Sequence, residues 1–381
     1  MFPRKNHLNN KRRSPRVTEE IAIAHDYLTQ KGGAERVVLA MHKAYPQATI
    51  YTTLYDPKNT YPEFKDANIV VSPLNKIRFF RKNHRAALPL LALASSLMRV
   101  PARKTLVSST GWAHGFRFAG KSFVYCHSPA RWLYLSDQYL GQYSPKTVRM
   151  ALRILRPWLI LWDRNAARKA STYVANSTEI RRRISRVYQR PAEVFFPPFA
   201  STQAQSLEPI AGLENFMAGE DYFLIVSRLL PYKNIHVALE AFSQTDKKLL
   251  VIGAGPMAQE LYAMGGSNVR FASNISDAQM RYAYAHCLAL LAISYEDFGL
   301  TPLECGVFGK PTIALEAGGY LDTIVEGLNG HFIKVAAAPA IRAAVRRFNP
   351  EDWDAQRIKE HTAQFSEERF IRVLHEYMEK L

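Results

Sequence analysis

Two glutamates, Glu296 and Glu304, frame the stretch of this 381-residue chain whose residue types are best suited to chemistry. The apolar run at 289–293 before them does not alternate with polar residues, which predicts a parallel strand buried on both faces. A strand, an acidic loop and a helix start form the place where open α/β sheets bind ligands, beyond the carboxyl ends of their strands. The two carboxylates therefore flank a candidate site for the hydroxyl groups and phosphates of a nucleotide.

The helix start after this loop is itself predicted from three residues. Thr301 is suited to the N-cap, Pro302 to the first helical position, and Glu304 to the third position of a capping box. Capping alone would account for Glu304, so a purely structural role stays open for it. It would not account for the acidic and aromatic residues at 296–298.

A pair of cations, Arg228 and Lys233, follows the predicted strand at 223–227. A lone cation there is usually solvated, but two cations on one loop can hold an anion, Arg as a planar fork and Lys as a point charge. Together with a glycine turn at Gly318 and Gly319, they predict a diphosphate site.

Further candidates lie in the first half of the chain. Gly32 and Gly33 stand between a predicted strand at 21–24 and a helix, where a backbone without side chains can approach a ligand, although an ordinary tight turn would explain them equally well. His127 follows the predicted strand at 123–126, where a site is expected, although a lone histidine is more often structural.

Two motifs predict less than they first suggest. The glycines at 253–256 imitate a dinucleotide fingerprint, but the next strand, 269–273, lacks the acidic residue that would hold a ribose. Asp-Trp-Asp at 352–354 imitates a metal site, but follows Asn-Pro and is better explained as helix capping. With three scattered cysteines and no Cys/His cluster at zinc spacing, we expect neither disulfides nor a zinc site.

The remaining pattern alternates short apolar strands with helices, which predicts an α/β fold with doubly wound parallel sheets. The length suggests two domains, with a boundary near residue 200, where a polar segment begins. Two basic helices are predicted at 75–104 and 146–169. Strands are predicted at 21–24, 49–54, 69–72, 105–109, 122–126, 173–176, 193–196, 223–227, 249–252, 269–272, 289–293, 311–315 and 331–334.

The net charge of +17 is unevenly distributed. Residues 1–200 carry a balance of +23 and residues 201–381 a balance of −6, so the first half is expected to face something anionic: nucleic acid, an anionic membrane or a phosphorylated substrate. Residues 1–16 read as a basic flexible tail rather than a signal peptide. The apolar run at 86–98 is too short to span a membrane. Apolar residues of the two basic helices are expected to lie in the core or, where they are exposed, to contact a membrane. The candidates for a membrane contact are Phe79, Phe80, Leu90, Leu91, Trp158 and Trp162.

Taken as an ordered set, these motifs resemble glycosyltransferase family 4, the retaining GT-B enzymes, over nearly all of residues 20–381. The resemblance looks closest to bacterial mannosyltransferases that build O-antigen, capsule and exopolysaccharide. Two positions depart from the family pattern: Asp322 stands where Glu is usual, and Ala200 where an acid is common. The matching motifs are Glu-x7-Glu at 296 and 304, Gly-Gly-Ala-Glu-Arg at 32–36, His-Ser-Pro at 127–129, Ala-Asn-Ser at 175–177, Pro-Pro at 197–198, and Ser-Arg-Leu at 227–229 with Lys233.

The resemblance implies two Rossmann-like domains facing a cleft. An acceptor-side domain would span 17–200, a nucleotide-sugar domain 201–361, and a helix at about 362–381 would cross back onto the first. The donor would be a nucleotide sugar, with GDP-mannose as the prediction, and the acceptor would be a polyprenyl-diphosphate-linked glycan. The enzyme would need no metal or other cofactor, bind no nucleic acid, and work in the cytoplasm at the inner face of the membrane.

The resemblance also implies a role for each candidate residue. Glu304 would hold the ribose, Glu296 the hydroxyls of the donor sugar, and His127 would line the reacting sugar. Arg228 and Lys233 would neutralise the leaving diphosphate. Gly32 and Gly33 would let the first domain close over the donor. Backbone N–H groups would come from Phe298, Gly299, Leu300 and Thr301.

Other classes fit the sequence less well. A nucleic-acid-binding module would explain the basic half but not the acidic loop. An NAD-dependent oxidoreductase would need the missing ribose acid, and a phosphorylase of the same fold usually carries a pyridoxal lysine for which no motif is recognisable. A UDP-sugar donor or a soluble acceptor stays open.

Overall fold

A computed structural model describes residues 17–135, 146–199 and 206–381. Within these residues the chain forms two compact units, the first made of 17–126, 146–173 and 376–381 and the second of 127–135, 174–199 and 206–375. The basic tail at 1–16, Ala200 and the boundary at 200–201 lie outside the described residues. The domain limits inferred from the sequence therefore stay predictions.

The strands confirm the predicted α/β pattern, since every predicted strand is present within a few residues of its expected position. They are β1 (Glu19–His25), β2 (Thr49–Thr52), β3 (Ile69–Val71), β4 (Arg99–Val100), β5 (Ala102–Ser109), β6 (Arg117–Phe118), β7 (Lys121–Cys126), β8 (Thr172–Ala175), β9 (Glu193–Val194), β10 (Tyr222–Val226), β11 (Lys248–Ile252), β12 (Val269–Ala272), β13 (Ala289–Ala292), β14 (Thr312–Leu315) and β15 (Gly330–Ile333). In the first unit the parallel order is β3-β2-β1-β5-β7, beside a short β4–β6 pair.

The helices alternate with these strands. They are α1 (Gly33–Ala44), α2 (Arg78–Lys82), α3 (Leu88–Leu97), α4 (Arg131–Tyr134), α5 (Lys146–Lys169), α6 (Thr178–Tyr188), α7 (Glu214–Met217), α8 (Ile235–Phe242), α9 (Ala258–Met264), α10 (Asp277–His286), α11 (Thr301–Gly306), α12 (Tyr320–Thr323), α13 (Ala338–Arg347), α14 (Ala355–Ala363) and α15 (Glu367–Lys380). Single 3-10 turns occur at Pro62–Asp66, Pro73–Lys76, His84–Ala87, Ala113–Gly115, Pro231–Lys233 and Pro350–Asp352.

The prediction of one helix at 75–104 is wrong. The segment breaks into a 3-10 turn, α2, a second turn and α3, and then becomes β4 and the start of β5. Pro89 is the physical reason for one break, because it lacks an N–H and takes the first turn of α3 instead of continuing an earlier helix. The second basic helix is confirmed as α5, which passes through Pro157.

The second unit is built on a six-stranded parallel sheet in the order β12-β11-β10-β13-β14-β15. Its strands are buried on both faces, with one apolar cluster around Phe223 and Leu291 and another around Leu224 and Leu290. The chain order reverses between β10 and β13, and such a reversal is where doubly wound sheets bind ligands.

Three further expectations concern the described residues. No helix among them is long and apolar enough to cross a membrane. The three cysteines are buried, and none of them forms a disulfide. Asp354 caps α14, accepting from the backbone N–H groups of Gln356 and Arg357, which confirms the capping interpretation of the Asp-Trp-Asp motif.

Candidate functional site

The carboxyl ends of β10 and β13 lie side by side, with Phe223 opposite Ala289 and Leu224 opposite Leu290. The cation loop follows the first of these strands and the acidic loop follows the second. Asn234 joins the two loops, because its side-chain amide donates to the carbonyl of Ile293 at 2.9 Å. The sheet thus brings both predicted loops to one place at the switch point.

Lys233 and Glu296 meet directly across these loops. The Lys233 ammonium forms an ion pair with a Glu296 carboxylate oxygen, which also accepts a hydrogen bond from the Ser294 hydroxyl at 2.8 Å. The lysine side chain is 11% exposed and the glutamate 21%. The pair is therefore largely screened from water by protein but still open to an incoming polar group.

Arg228 lies on the same loop and is exposed to solvent. Its guanidinium donates to the Tyr232 hydroxyl at 3.2 Å, while the Lys233 ammonium lies 5.2 Å from the centre of the Tyr232 ring. Both cations thus lie next to one aromatic side chain. Sequence reasoning missed Tyr232, although its position between Arg228 and Lys233 in the loop was visible.

The glycine motif at 253–256 supports the cation loop. Gly253 has a φ of +156°, and a Cβ built there would lie 1.8 Å from the carbonyl oxygen of Ser227. Two backbone bonds join the loops as well: Leu229 N–H donates to the carbonyl of Ala254, and Met257 N–H to that of Leu229. The motif is a tight turn, as predicted, and its close approach fixes the backbone on either side of Arg228.

Glu304 does not cap its own helix. Leu300 occupies the N-cap of α11 without any side-chain cap bond, so the predicted capping box with Thr301 is wrong. The Glu304 carboxylate instead accepts from the Tyr284 hydroxyl at 2.6 Å. Burial, and then the nearby Glu304 charge, raise the pKa of Tyr284 well above its ordinary value, so its hydroxyl stays a donor. The Glu304 carboxylate is thus half-buried, is positioned by Tyr284 and has no capping role, so it is available for ligand contact.

The glycine turn at Gly318 and Gly319 packs against the acidic loop. Gly318 has a φ of +62°, and a Cβ there would lie 2.3 Å from the carbonyl oxygen of Glu296. Gly319 N–H donates to that same oxygen at 2.9 Å, and a Cβ on Gly319 would overlap Phe298. The turn therefore fixes the backbone that carries Glu296, and its part in a diphosphate site stays a prediction.

The remaining predicted contacts of this loop differ in their surroundings. The Phe298 ring is buried in an apolar cluster with Leu303 and Phe365, and Leu300 packs against that cluster. Gly299 has a φ of +82°, and Thr301 is half-buried. At Phe298 and Leu300, therefore, only the backbone groups are suited to a ligand, because the side chains of these two residues belong to the core.

Asp297, which the sequence left without a role, is the centre of a buried charge cluster. It accepts from Arg131 Nε at 2.6 Å and pairs with Arg183 at 3.1 Å. Arg183 also donates to the Ser128 hydroxyl at 2.9 Å and pairs with Glu179 at 3.3 Å. We name these residues (Arg131, Arg183, Asp297, Ser128 and Glu179) the Asp297 cluster.

The Asp297 cluster links two predicted site segments. Ser128 directly follows His127, which is half-buried, and Asp297 directly follows Glu296. In the basic run at 181–183, Arg181 and Arg182 are exposed, but Arg183 is buried. Its burial could not be read from charge alone, because only the tertiary partner distinguishes it from its neighbours.

Gly32 and Gly33 lie in the first unit, where Gly33 begins α1 and Gly32 is its N-cap. A Cβ on Gly32 would lie 2.5 Å from a carboxylate oxygen of Glu35, a buried side chain that turns towards His25. The glycine thus leaves room for a buried acid. Its contact with a donor stays a prediction.

Comparisons with known proteins agree with this geometry. A family model described as Glycosyltransferase Family 4 matches residues 31–197, and one described as Glycosyl transferases group 1 matches 214–365. The D-rhamnosyltransferase WbpZ of Pseudomonas aeruginosa is 33% identical over 34% of this chain and 36% of its own length. The match thus spans about a third of that relative.

Longer matches extend over most of the chain. The alpha-1,3/1,6-mannosyltransferase ALG2 of Dictyostelium discoideum is 25% identical over 86% of this chain and 88% of its own length. Among solved structures, Anabaena Alr3699/HepE in complex with UDP-glucose superimposes with a TM-score of 0.67 at 18% identity, covering 95% of this chain and all of that one. That likeness shows the fold. With the two family models, these findings place the chain among the enzymes of glycosyltransferase family 4, which have the GT-B fold.

Proposed function

We propose that this glycosyltransferase transfers mannose, with retention of configuration, from GDP-mannose to a polyprenyl-diphosphate-linked glycan in bacterial polysaccharide synthesis. The observation that carries the nucleotide-sugar site is the meeting of Lys233 and Glu296 at the sheet's switch point, beside Arg228. The similarity to ALG2, an alpha-1,3/1,6-mannosyltransferase, supports mannose, because that alignment spans most of both chains.

In this proposal, donor binding separates Lys233 from Glu296, because each side chain contacts a different part of the donor. The diphosphate takes Lys233 and Arg228, whose charges stabilise the negative charge that grows on the leaving group. The sugar hydroxyls donate to Glu296, and the ribose hydroxyls donate to Glu304. An ion pair opened in this way is replaced by two charge-assisted interactions, so neither charge is left buried without a partner.

The other predicted residues complete this assignment. Backbone N–H groups of Phe298, Gly299, Leu300 and Thr301 bind the donor, and His127 lines the sugar. Gly32 and Gly33 keep the donor contact that the family resemblance implies. These roles rest on the family resemblance. The reaction uses no metal, because the cations of the loop supply the charge that a metal would supply.

A UDP-sugar donor is the second candidate. It is supported by the Anabaena structure, which is described as a complex with UDP-glucose. Thermal-shift measurements with GDP, UDP and ADP separate the two, because a nucleotide that binds the folded state raises its apparent stability. A shift with GDP alone supports the proposal, and a shift with UDP alone overturns the choice of base.

The transfer itself is tested with GDP-mannose and a synthetic polyprenyl-diphosphate glycan. The anomeric proton of the product, measured by NMR, reports whether the α configuration of the donor is kept. An inverted product contradicts retention. Turnover with a lipid-free glycan but not with the lipid-linked one contradicts the acceptor.

We also propose that the enzyme works in the cytoplasm at the inner face of the membrane. The basic balance of the first half supports this, because each Lys or Arg near an anionic surface contributes about 1 kcal/mol to binding. Cosedimentation of the enzyme with the membrane fraction at low salt, and its release by high salt, is the expected result.

A further inference from the structure

Two neighbouring helices of the first unit expose apolar side chains. On α3 these residues recur at helical spacing, and on α5 they do so again, so each set lies on one helix face. The helices contact one another, since the Trp162 indole N–H donates to the Ser96 hydroxyl at 2.8 Å. We name the exposed set the apolar ridge: Leu90, Leu93 and Leu97 of α3, and Met150, Ile154, Trp158 and Leu161 of α5.

The fold does not need the ridge for its core. Helix α5 packs inward through Leu159, Ala167 and the fully buried Asp163, which lies 3.0 Å from His114. The ridge residues point elsewhere: Ile154 is 71% exposed and Trp158 51%. A helix that already has a buried face, and exposes a second apolar face to water, presents that face for an interaction.

The surroundings of the ridge are positively charged. On α5, Arg153, Arg156, Arg164 and Arg168 are exposed, and its acidic residue, Asp163, is buried. The segment 76–104, which contains α3, carries eight Lys and Arg and no Asp or Glu. A large apolar side chain such as Trp158, surrounded by arginines, is suited to a partner that has an anionic outer layer and an apolar interior.

We propose that the apolar ridge enters the headgroup region of an anionic lipid membrane, with α3 and α5 lying in the membrane plane. The arginines then face lipid phosphates while the ridge side chains reach the acyl boundary. A second copy of this chain fits less well, because a two-fold contact would bring like charges together around the ridge. The inference deepens the proposed function by assigning the membrane contact, and it can be tested without donor or acceptor.

The sequence had offered six apolar residues for such a contact. The structure exposes Phe79, Leu90 and Trp158, buries Leu91, and leaves Phe80 and Trp162 partly covered. Ile154 and Leu161 belong to the surface although the sequence did not single them out. The contact therefore draws on both helices.

The test is cosedimentation of the full-length protein with vesicles of phosphatidylcholine, with and without 30% phosphatidylglycerol. We expect binding to the anionic vesicles at low salt, lowered about tenfold by Ile154→Asn and about fivefold by Arg153→Gln. The matched control is Val335→Asn, because Val335 is 58% exposed but lies in the second unit. That variant should bind like the wild type.

Trp158 supplies an independent measurement. Its emission should shift to shorter wavelength when anionic vesicles are added, and Trp158→Phe should abolish most of that shift. Vesicle binding that is equal in Ile154→Asn and wild type overturns the proposal. So does a wild-type dimer in sedimentation equilibrium that Ile154→Asn converts to a monomer while vesicle binding is unchanged. Nucleotide-induced thermal shifts, measured on the same variants, should match wild type, so a failed donor assignment is recognised separately.

Discussion

Two buried aspartates follow parallel strands in the two units, yet they are satisfied in opposite ways. Asp26 follows β1 and accepts from neutral donors: the backbone N–H groups of Thr110, Trp112 and Ala113 and the Thr110 hydroxyl, at 2.5 to 3.1 Å. Asp297 follows β13 and is satisfied by two arginines. Both are less than a tenth exposed.

The difference separates a structural carboxylate from one that belongs to a site. Donors to Asp26 come from one short backbone segment, so the aspartate fixes the loop after β5. Donors to Asp297 are side chains from α4 and α6, so the aspartate ties together segments that are distant in sequence, including the one next to His127. Because two cations already balance Asp297, its neighbour Glu296 keeps its own charge for Lys233.

The largest expected effect is that of Asp297→Asn. Removing this charge leaves Arg131 without its paired carboxylate and Arg183 with Glu179 alone. This change should lower the free energy of unfolding by about 3–5 kcal/mol. Asp26→Asn keeps one acceptor oxygen, so we expect a smaller loss of about 1.5–3 kcal/mol. Urea unfolding measures both.

A second measurement sharpens the contrast between the aspartates. Nucleotide binding should weaken in Asp297→Asn, because the loop of Glu296 loses its anchor, and stay near wild type in Asp26→Asn. Asp221→Asn is the control, since its pair with Lys248 is at the surface and should contribute less than about 1 kcal/mol. Equal losses of nucleotide affinity in both core variants would remove the distinction between the two carboxylates.

The next effect concerns turnover. Lys233→Ala removes a cation that we place on the leaving diphosphate, so kcat should fall on the order of a hundredfold, and Arg228→Ala should act in the same direction. The melting temperature should change little in Arg228→Ala, because that side chain is exposed, and should fall in Lys233→Ala, because Glu296 loses its paired cation. Lys248→Ala, another lysine beside a carboxylate, serves as the control. Near-wild-type kcat in both site variants would refute the assignment.

Local pattern was enough to predict most of the fold. Apolar runs such as that at 289–293 gave the buried strands, because a parallel strand covered on both faces leaves a clear composition. The helix at 75–104 was mispredicted, because a uniformly basic and apolar composition does not show where Pro89 begins a new helix. The capping box at Thr301 was also mispredicted. The sequence allows it, but Leu300 is the N-cap of α11, and Glu304 accepts from Tyr284 instead.

The sequence predicted which residues follow the strands, but not which residues become buried. Lys233 and Glu296 were singled out from their positions after two strands, and the structure joins them. Three contributing residues, Arg183, Tyr232 and Tyr284, were missed, because the sequence does not show their side-chain partners. Those partners are Asp297 for Arg183, Arg228 for Tyr232 and Glu304 for Tyr284. Arg183 differs from Arg181 only in which face of α6 it occupies, and a charge run does not reveal that.

A smaller effect is expected for Glu304→Gln. The amide retains an oxygen that can accept from Tyr284, so the melting temperature should be nearly unchanged. A ribose held by the carboxylate loses charge-assisted hydrogen bonds, so nucleotide affinity should fall about tenfold, or about 1.4 kcal/mol. Isothermal titration with the preferred nucleotide measures it. Unaltered affinity would return Glu304 to a structural role beside Tyr284.

The smallest expected effect concerns His25, the last residue of β1 in the first unit. Burial of His25 opposes its charged form, but the Glu35 carboxylate nearby favours that form, and the net result raises the pKa of His25 above its ordinary 6.5. A histidine whose pKa is higher in the folded state binds its proton more tightly there. Its stabilising contribution is therefore complete below about pH 6.5 and is lost as the pH rises through the raised folded value.

This contribution can be isolated with His25→Gln, which cannot titrate. The difference in free energy of unfolding between wild type and His25→Gln should be largest near pH 6 and should shrink at higher pH, by at most about 1.4 kcal/mol for each pH unit. His331→Gln controls for a histidine paired with a carboxylate, Glu326, at the exposed surface. A difference that grows with pH would mean that His25 is neutral in the folded protein. The first unit would then bury a lone Glu35 charge, unlike the second, whose Asp297 is balanced by two cations.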